Sequence, residues 1–345
     1  MTTYAQTFCT VADLVSDTKS PGVDEARMYQ AIREASDFLQ KEIGFFIPVT
    51  LTYNFNGRDK LDLFLHPPLL SVTSITNDGT ALVSTDYILK PDNGHWPNGP
   101  YSKLTVDPDA ANLSAWADEE DGVVIVGKWG LYQRSASASA TVADTTSQSD
   151  SQTTLKASNG AKLSPGMVLL IGTEQELVTG WGDPTTSVTT VTEAVTNTTD
   201  QLTLANAALV NVGEIIRIDF EQMRIVDIRT TGNLAAVIRG YNGTSRVAHA
   251  DNTAVDVYRT VNVERGVNGT TAAAHLNGVA ISRYFAPDDI QFLTKQIATL
   301  MVNKALSGYQ GRTGNAELGV VFYNDAFPRY ELEQIKAKYA LPRFP

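Results

Sequence analysis

Part of this chain repeats itself, and the order of the repeated pieces limits the topologies open to it. Residues 155–178 align without a gap on 202–225. Asn159 meets Asn206, Gly166 meets Gly213, Leu169 meets Ile216, Ile171 meets Ile218, and Glu174-Gln175 meets Glu221-Gln222. A second phrase, Arg-Gly-x-Asn-Gly-Thr-x-x-x-Ala-His, occurs at 239–249 and again at 265–275. The order is first half, first half, second half, second half. The simplest parse is nested: a complete unit at about 201–259 sits inside another that begins near Thr154 and resumes near Val261. That parse requires Val178 and Val263 to run close together. Each unit reads as a small β fold, with Gly166 or Gly213 turning into a strand and Asn-Gly supplying a left-handed turn.

The flanks have a different rhythm. From Asp24 to Ile43, apolar residues at Met28, Ile32, Ala35 and Leu39 fall in steps of three and four, which predicts a helix with one buried stripe, stopped by Gly44. Short alternating runs follow, around Val49-Leu51-Tyr53-Phe55 and Leu61-Leu63-Leu65, with turn signals at 56–59 and at Asn77-Asp78-Gly79. At Gln133 the composition shifts to Ser, Ala and Thr, which reads as a flexible tether. After the repeats, Ile290, Leu293, Ile297 and Leu300, with Met301 beside them, mark a second long helix opened by Asp288-Asp289. A short amphipathic helix carries Leu332, Ile335 and Tyr339 on one face.

The expected class is therefore α+β. A helical core with a small β layer occupies 1–131 and 285–345, and a linker spans 132–153. An all-β inserted domain built from the two nested repeats fills 154–284.

Several kinds of chemistry find little support. The net charge of −11, from 27 basic and 38 acidic residues, argues against a protein that grips nucleic acid. One cysteine, Cys9, cannot form an internal disulfide. No apolar run is long enough for a membrane span and the first residues lack a signal-peptide pattern, so a cytoplasmic site of synthesis is expected. His249 and His275 recur with their turns, as Glu174 and Glu221 recur with their strands. The same residue at the same place in two copies points to one structural role used twice, rather than to acid–base or metal chemistry. No catalytic, cofactor-binding or metal-binding residue is assigned.

In the flanks, "FFIPVTLTYNF", "LFLHPPLLSVTSITNDGTALVSTDYIL", "VVIVGKWGLY" and "PDDIQFLTKQIATLMVNKALSGYQGR" resemble the head–tail connector (adaptor) proteins of tailed bacteriophages. Pro68-Leu69-Leu70-Ser71-Val72 and Lys128-Trp129-Gly130 carry the match. The resemblance covers residues 1–131 and 287–345; the insertion departs from the usual adaptor, although its Arg-Gly-x-Asn-Gly-Thr phrase is similar to β modules of phage virion proteins. What the resemblance implies is a structural subunit with no cofactor, assembled in the host cytoplasm into a homo-oligomeric ring, commonly a dodecamer, at the virion neck. Its partners would be the portal protein and a tail or head-closure protein, with genomic DNA passing through the lumen without sequence-specific binding. Ile290, Leu293, Ile297, Leu300 and Met301 would then pack subunits together. Phe327, Tyr330, Leu332, Ile335, Tyr339 and Phe344 would dock on the portal, unless the last helix folds back onto its own core.

Two rivals stand beside this expectation. In one, the chain is a virion decoration or fibre-attachment protein whose β insertion binds a partner or a glycan. In the other, it is a glycan hydrolase using Glu174 and Glu221.

Overall fold

The computed structural model describes residues 4–18, 24–91, 99–306, 312–315, 320–323 and 327–339. The first helix, α1, spans Val11–Thr18, and α2 spans Glu25–Ile43. Asp24 starts α2 by accepting the Ala26 N–H, and Gly44 ends it with φ 120° while donating to the Gln40 carbonyl. The expected stripe of Met28, Ile32, Ala35 and Leu39 is buried.

A six-stranded antiparallel sheet follows. It is formed by β1 (Val49–Phe55), β2 (Asp62–Asn77), β3 (Thr80–Ala81), β4 (Tyr87–Pro91), β5 (Tyr101–Val106) and β6 (Val123–Trp129). Its order is β1-β6-β2-β5-β4, with the short β3 on β2. Period-two alternation aims Leu63, Leu65, Leu104, Ile125 and Trp129 into one interior. The buried indoles of Trp116 and Trp129 donate to the Leu61 and Leu51 carbonyls.

Next come β7 (Ser135–Thr141), β8 (Ser147–Gln148), β9 (Thr154–Lys156), β10 (Val168–Ile171) and β11 (Glu174–Trp181). The chain then leaves this outer unit and builds an inner one from β12 (Thr185–Thr190), β13 (Gln201–Thr203), β14 (Ile215–Ile218), β15 (Glu221–Arg229), β16 (Leu234–Ile238) and β17 (Ala254–Val257). It returns to the outer unit as β18 (Thr260–Glu264), β19 (His275–Leu276) and β20 (Ala280–Tyr284). The outer sheet has the order β7-β20-β10-β11-β18-β9 and the inner sheet β12-β17-β14-β15-β16-β13. Matched strand for strand, these are one topology. In the inner unit β15 and β16 are joined by a short turn at 230–233. In the outer unit the corresponding hairpin, β11 and β18, pairs Val178 with Val263, and the whole inner unit is spliced in at its open end. Each unit has its own apolar interior.

After β20 the chain forms α3 (Asp288–Leu306), a hairpin of β21 (Arg312–Asn315) and β22 (Val320–Tyr323), and α4 (Arg329–Tyr339). Ile290, Leu293 and Ile297 of α3, and Leu332 and Ile335 of α4, close over Leu14, Met28, Ile32 and Leu39 from the other end of the chain. The segments before and after the β units therefore share one interior.

Two expectations need correction. The class is not α+β with a helical core: the chain is 39% strand and 21% helical, so β structure dominates and the helices are one minor layer. The tether at 132–153 is not a tether either. Residues 135–141 form β7, paired with β20, and 147–148 form β8, paired with β19. Ala138 and Ala140 face the outer unit's interior. Alternating Ser and Ala is a period-two pattern whose inward residue is merely small, so its low hydropathy hides a strand.

Candidate functional site

The densest cluster of buried charge lies at the same place in both β units. In the outer unit, Glu174 begins β11 and is fully buried. Its Oε1 accepts from Arg265 Nε at 2.8 Å and the Gly266 N–H at 3.0 Å. Its Oε2 accepts from Arg265 Nη2 at 2.8 Å and the Ala273 N–H at 2.9 Å, and lies 2.8 Å from His275 Nε2. In the inner unit Glu221 repeats every one of these contacts with Arg239, the Gly240 and Val247 N–H groups and His249. The spare guanidinium donors also match. Arg265 donates to the Ser149, Gln152 and Ala273 carbonyls, and Arg239 to those of Thr196, Thr199 and Val247.

This explains the repeated phrase. Arg closes on the Glu of the partner strand, Gly gives the carboxylate a backbone donor, and His seals the other side. Thr270 and Thr244 accept from the Gln175 and Gln222 N–H groups and donate to the Val267 and Tyr241 carbonyls. Burial works against ionisation of Glu221, but its guanidinium, backbone and imidazole partners outweigh it and bring the pKa down to about 2. The same balance holds Glu174 below the ordinary carboxylate range. Each carboxylate is fully occupied by its own fold. The two belong to separate units, unlike the facing pair of a glycosidase.

The two units differ at one facing pair beside this cluster. Leu169 on β10 pairs with Glu176, whereas its counterpart Ile216 pairs with Met223. Opposite His275 stands Gln148, whereas opposite His249 stands Val195. A buried Glu–Gln pair in the outer unit thus replaces an apolar Met–Val pair in the inner one. Gln148 Nε2 donates to Glu176 Oε2 at 3.2 Å, but Glu176 Oε1 and Gln148 Oε1 have no hydrogen-bond partner. Arg265 Nε stands 3.1 Å from Glu176 Oε1 as an ion pair without hydrogen-bond alignment. Burial, more than the neighbouring Glu174 and Asp144, raises the Glu176 pKa to about 7 against the pull of Arg265 and Gln148.

Glu174, Glu176 and His275 bring ligand atoms within 4.8 Å of one another, the spacing of a metal cluster. The donor set does not fit a cation. All five contacts on Glu174 are already made, and a guanidinium fills the space a cation would need.

Sequence reasoning placed Glu174, Glu221, His249 and His275 in structural roles, and the geometry gives each its partners. It missed Arg239 and Arg265, although both open the repeated phrase. It also missed Glu25 at the start of α2, which accepts from the Tyr241 hydroxyl at 2.8 Å and the Trp181 indole at 2.6 Å and so ties the helices to the inner unit. Trp181 is a packing anchor there, against Tyr258.

The residues assigned to assembly divide. Ile290, Leu293 and Ile297 are buried in the chain's own interior, and Leu300 and Met301 are half-buried. The first three are unavailable for subunit packing, because the stripe that looks outward in sequence closes on α2. Leu332 and Ile335 are buried as well. Phe327 packs edge-on against Phe38, and Tyr339 against Phe46. The last helix therefore folds back on its own core, fixed by Lys336 to Glu42 and Lys338 to Asp289. Among the described members of that set, only Tyr330 stands clear, 74% exposed. Phe344 lies outside the described residues.

No helix among the described residues is long and apolar enough to cross a membrane. Comparisons with protein-family models, with curated proteins and with solved structures found no match.

Proposed function

We propose that this chain is a non-catalytic structural subunit of a tailed-phage virion, an adaptor at the neck that assembles as a ring beneath the portal and joins the DNA-filled head to the tail. The observation that carries the reading is the shared interior of the two chain ends. Two stretches separated by both β units close one apolar body, which includes α3 of the segments that resemble connector proteins, while most of the others form the six-stranded sheet. Its helices leave Phe292 of α3 and Tyr330 of α4 exposed, at 55% and 74%. Large apolar side chains standing out from an otherwise closed body are the anchors that protein interfaces use. The saturated Glu174 and Glu221 support a scaffold rather than an enzyme. The partners on this reading are the portal, a tail or head-closure protein and further copies of the chain, and DNA passes without sequence-specific contact.

Joining of heads to tails tests it. Phe292→Asp with Tyr330→Asp is expected to leave folding intact and to abolish joining when the variant replaces the natural chain in its virus. Normal yields of joined particles from that variant would remove the proposed anchors.

The second reading, a decoration or fibre-attachment protein, draws on Phe220, 93% exposed at the turn between β14 and β15. It predicts that Phe220→Asp, rather than the helix variants, affects the virion.

A further inference from the structure

The two β units present the same face to different surroundings, and the outer unit shows what that face is built to hold. There, Asn268 Oδ1 accepts the Ala5 N–H at 2.9 Å and its Nδ2 donates to the Ala5 carbonyl at 3.1 Å. Gln175 Nε2 donates to the Pro48 carbonyl at 2.8 Å. Beside them the chain crosses Gly269 so closely that a Cβ there would lie 2.0 Å from the Thr50 carbonyl oxygen. Val168, Val267 and Tyr284 seal the contact against Ile47 and Ala5. The Asn-Gly turn and the Gln form a clamp for extended backbone, and the glycine is the threshold over which that backbone passes.

The inner unit keeps the whole clamp. Gln222, Asn242 and Gly243 stand where Gln175, Asn268 and Gly269 stand, and Ile215, Tyr241 and Tyr258 replace the apolar seal. Half of it is engaged: Asn242 Oδ1 accepts the Glu25 N–H at 2.8 Å, as Asn268 accepts that of Ala5. Among the described residues, none crosses this site as residues 48–50 cross the outer clamp. No atom of the described residues lies within 4 Å of a Cβ built on Gly243, and Gln222 Nε2 turns instead to the Tyr258 hydroxyl at 3.1 Å. Gln175 and Asn268 are buried, whereas Gln222 and Asn242 are half-exposed. A cleft of about 560 Å3, lined by Gln222 and Asn242 with Trp181, Asp183 and Arg217, lies next to Gly243.

We propose that this cleft is a docking groove for an extended, positively charged segment of a partner protein, gripped by Gln222 and crossing Gly243 as residues 48–50 cross Gly269. The charge follows from the rim. Asp24 and Asp183 line it, and Arg217 is already neutralised by Asp256 at 2.7 Å, so acidic groups are in excess. The residue over Gly243 is expected to be small or β-branched, as Val49 and Thr50 are on the outer clamp. This proposal does not depend on the connector reading.

The test uses the full chain and a synthetic peptide carrying Ile47 to Tyr53 with three lysines at each end. Its binding is followed by calorimetry and by Trp181 fluorescence, against the same peptide flanked by glutamates. Saturable binding of the lysine peptide is expected, weakened about five- to tenfold by Gln222→Ala, which removes one hydrogen bond. Asp183→Lys, at an exposed position, is expected to weaken the lysine peptide and to strengthen the glutamate peptide. Unchanged circular dichroism and thermal unfolding identify variants that still fold. No saturation at millimolar peptide, equal affinity for both peptides, or indifference to both substitutions would overturn the proposal. Self-association of the free chain that Gln222→Ala abolishes would also overturn it, since the occupant would then be a second copy.

Discussion

Glu176 gives the sharpest prediction, because the inner unit shows what the fold does without it. Replacing Gln148 by Val and Glu176 by Met installs in the outer unit the pair that the inner unit already uses at Val195 and Met223. Glu176 is fully buried, and its pKa rises from the ordinary 4.5 to about 7. A raised carboxyl pKa means that the folded unit binds the proton more tightly than the unfolded chain does. The contribution of Glu176 is therefore fully present below pH 4.5 and is lost as pH climbs through 7. At 1.36 kcal/mol per unit the difference is about 3 kcal/mol, or roughly a hundredfold in an opening equilibrium. Hydrogen exchange of the β10 and β11 amides reads that opening directly and avoids treating a chain of several cores as two-state. Between pH 5 and pH 8 the natural chain is expected to lose about a hundredfold in protection of these amides beyond the intrinsic pH effect. The double variant should keep its protection, and amides of the inner unit serve as the internal control. Equal pH slopes in the natural chain and the variant would refute the reasoning.

Three further outcomes follow from the same geometry. Glu221 has its pKa lowered to about 2, so its contribution is present above pH 4.5 and lost as pH falls toward 2; Glu221→Gln should flatten the acid limb of inner-unit protection by about 3 kcal/mol. Arg265→Met strips Glu174 of its charge partner inside the outer unit and should cost about 3–5 kcal/mol there, measured by the same exchange, while inner-unit amides hold. Leu293→Ala opens a cavity in the interior shared by both chain ends and should cost about 2–5 kcal/mol, with α2 and α3 losing protection together.

Much of the nested design was legible in the sequence, because a strand's register is tied to its side-chain pattern. Gap-free alignment of 155–178 on 202–225 leaves few ways to pair the second halves, and Val178 does meet Val263. The stripe of α2 was equally plain. The outward partner of the α3 stripe was not, since a periodic face shows that a helix is covered but not by what. Strand β7 escaped because its inward residues are alanines. The asymmetry at Glu176 escaped for another reason: a Glu aligned with a Met looks like ordinary drift between repeats until its oxygen is seen without a hydrogen bond in a closed interior.

The central claim is that this chain works as a repeated structural part built on the body its two ends share. Electron microscopy of the purified full chain mixed with a candidate portal protein tests that most directly. The account predicts a closed ring seated coaxially on the portal, with the helical layer at the contact and the inner β units projecting outward. Portals left bare beside monomers of the chain, at concentrations well above micromolar, would contradict it.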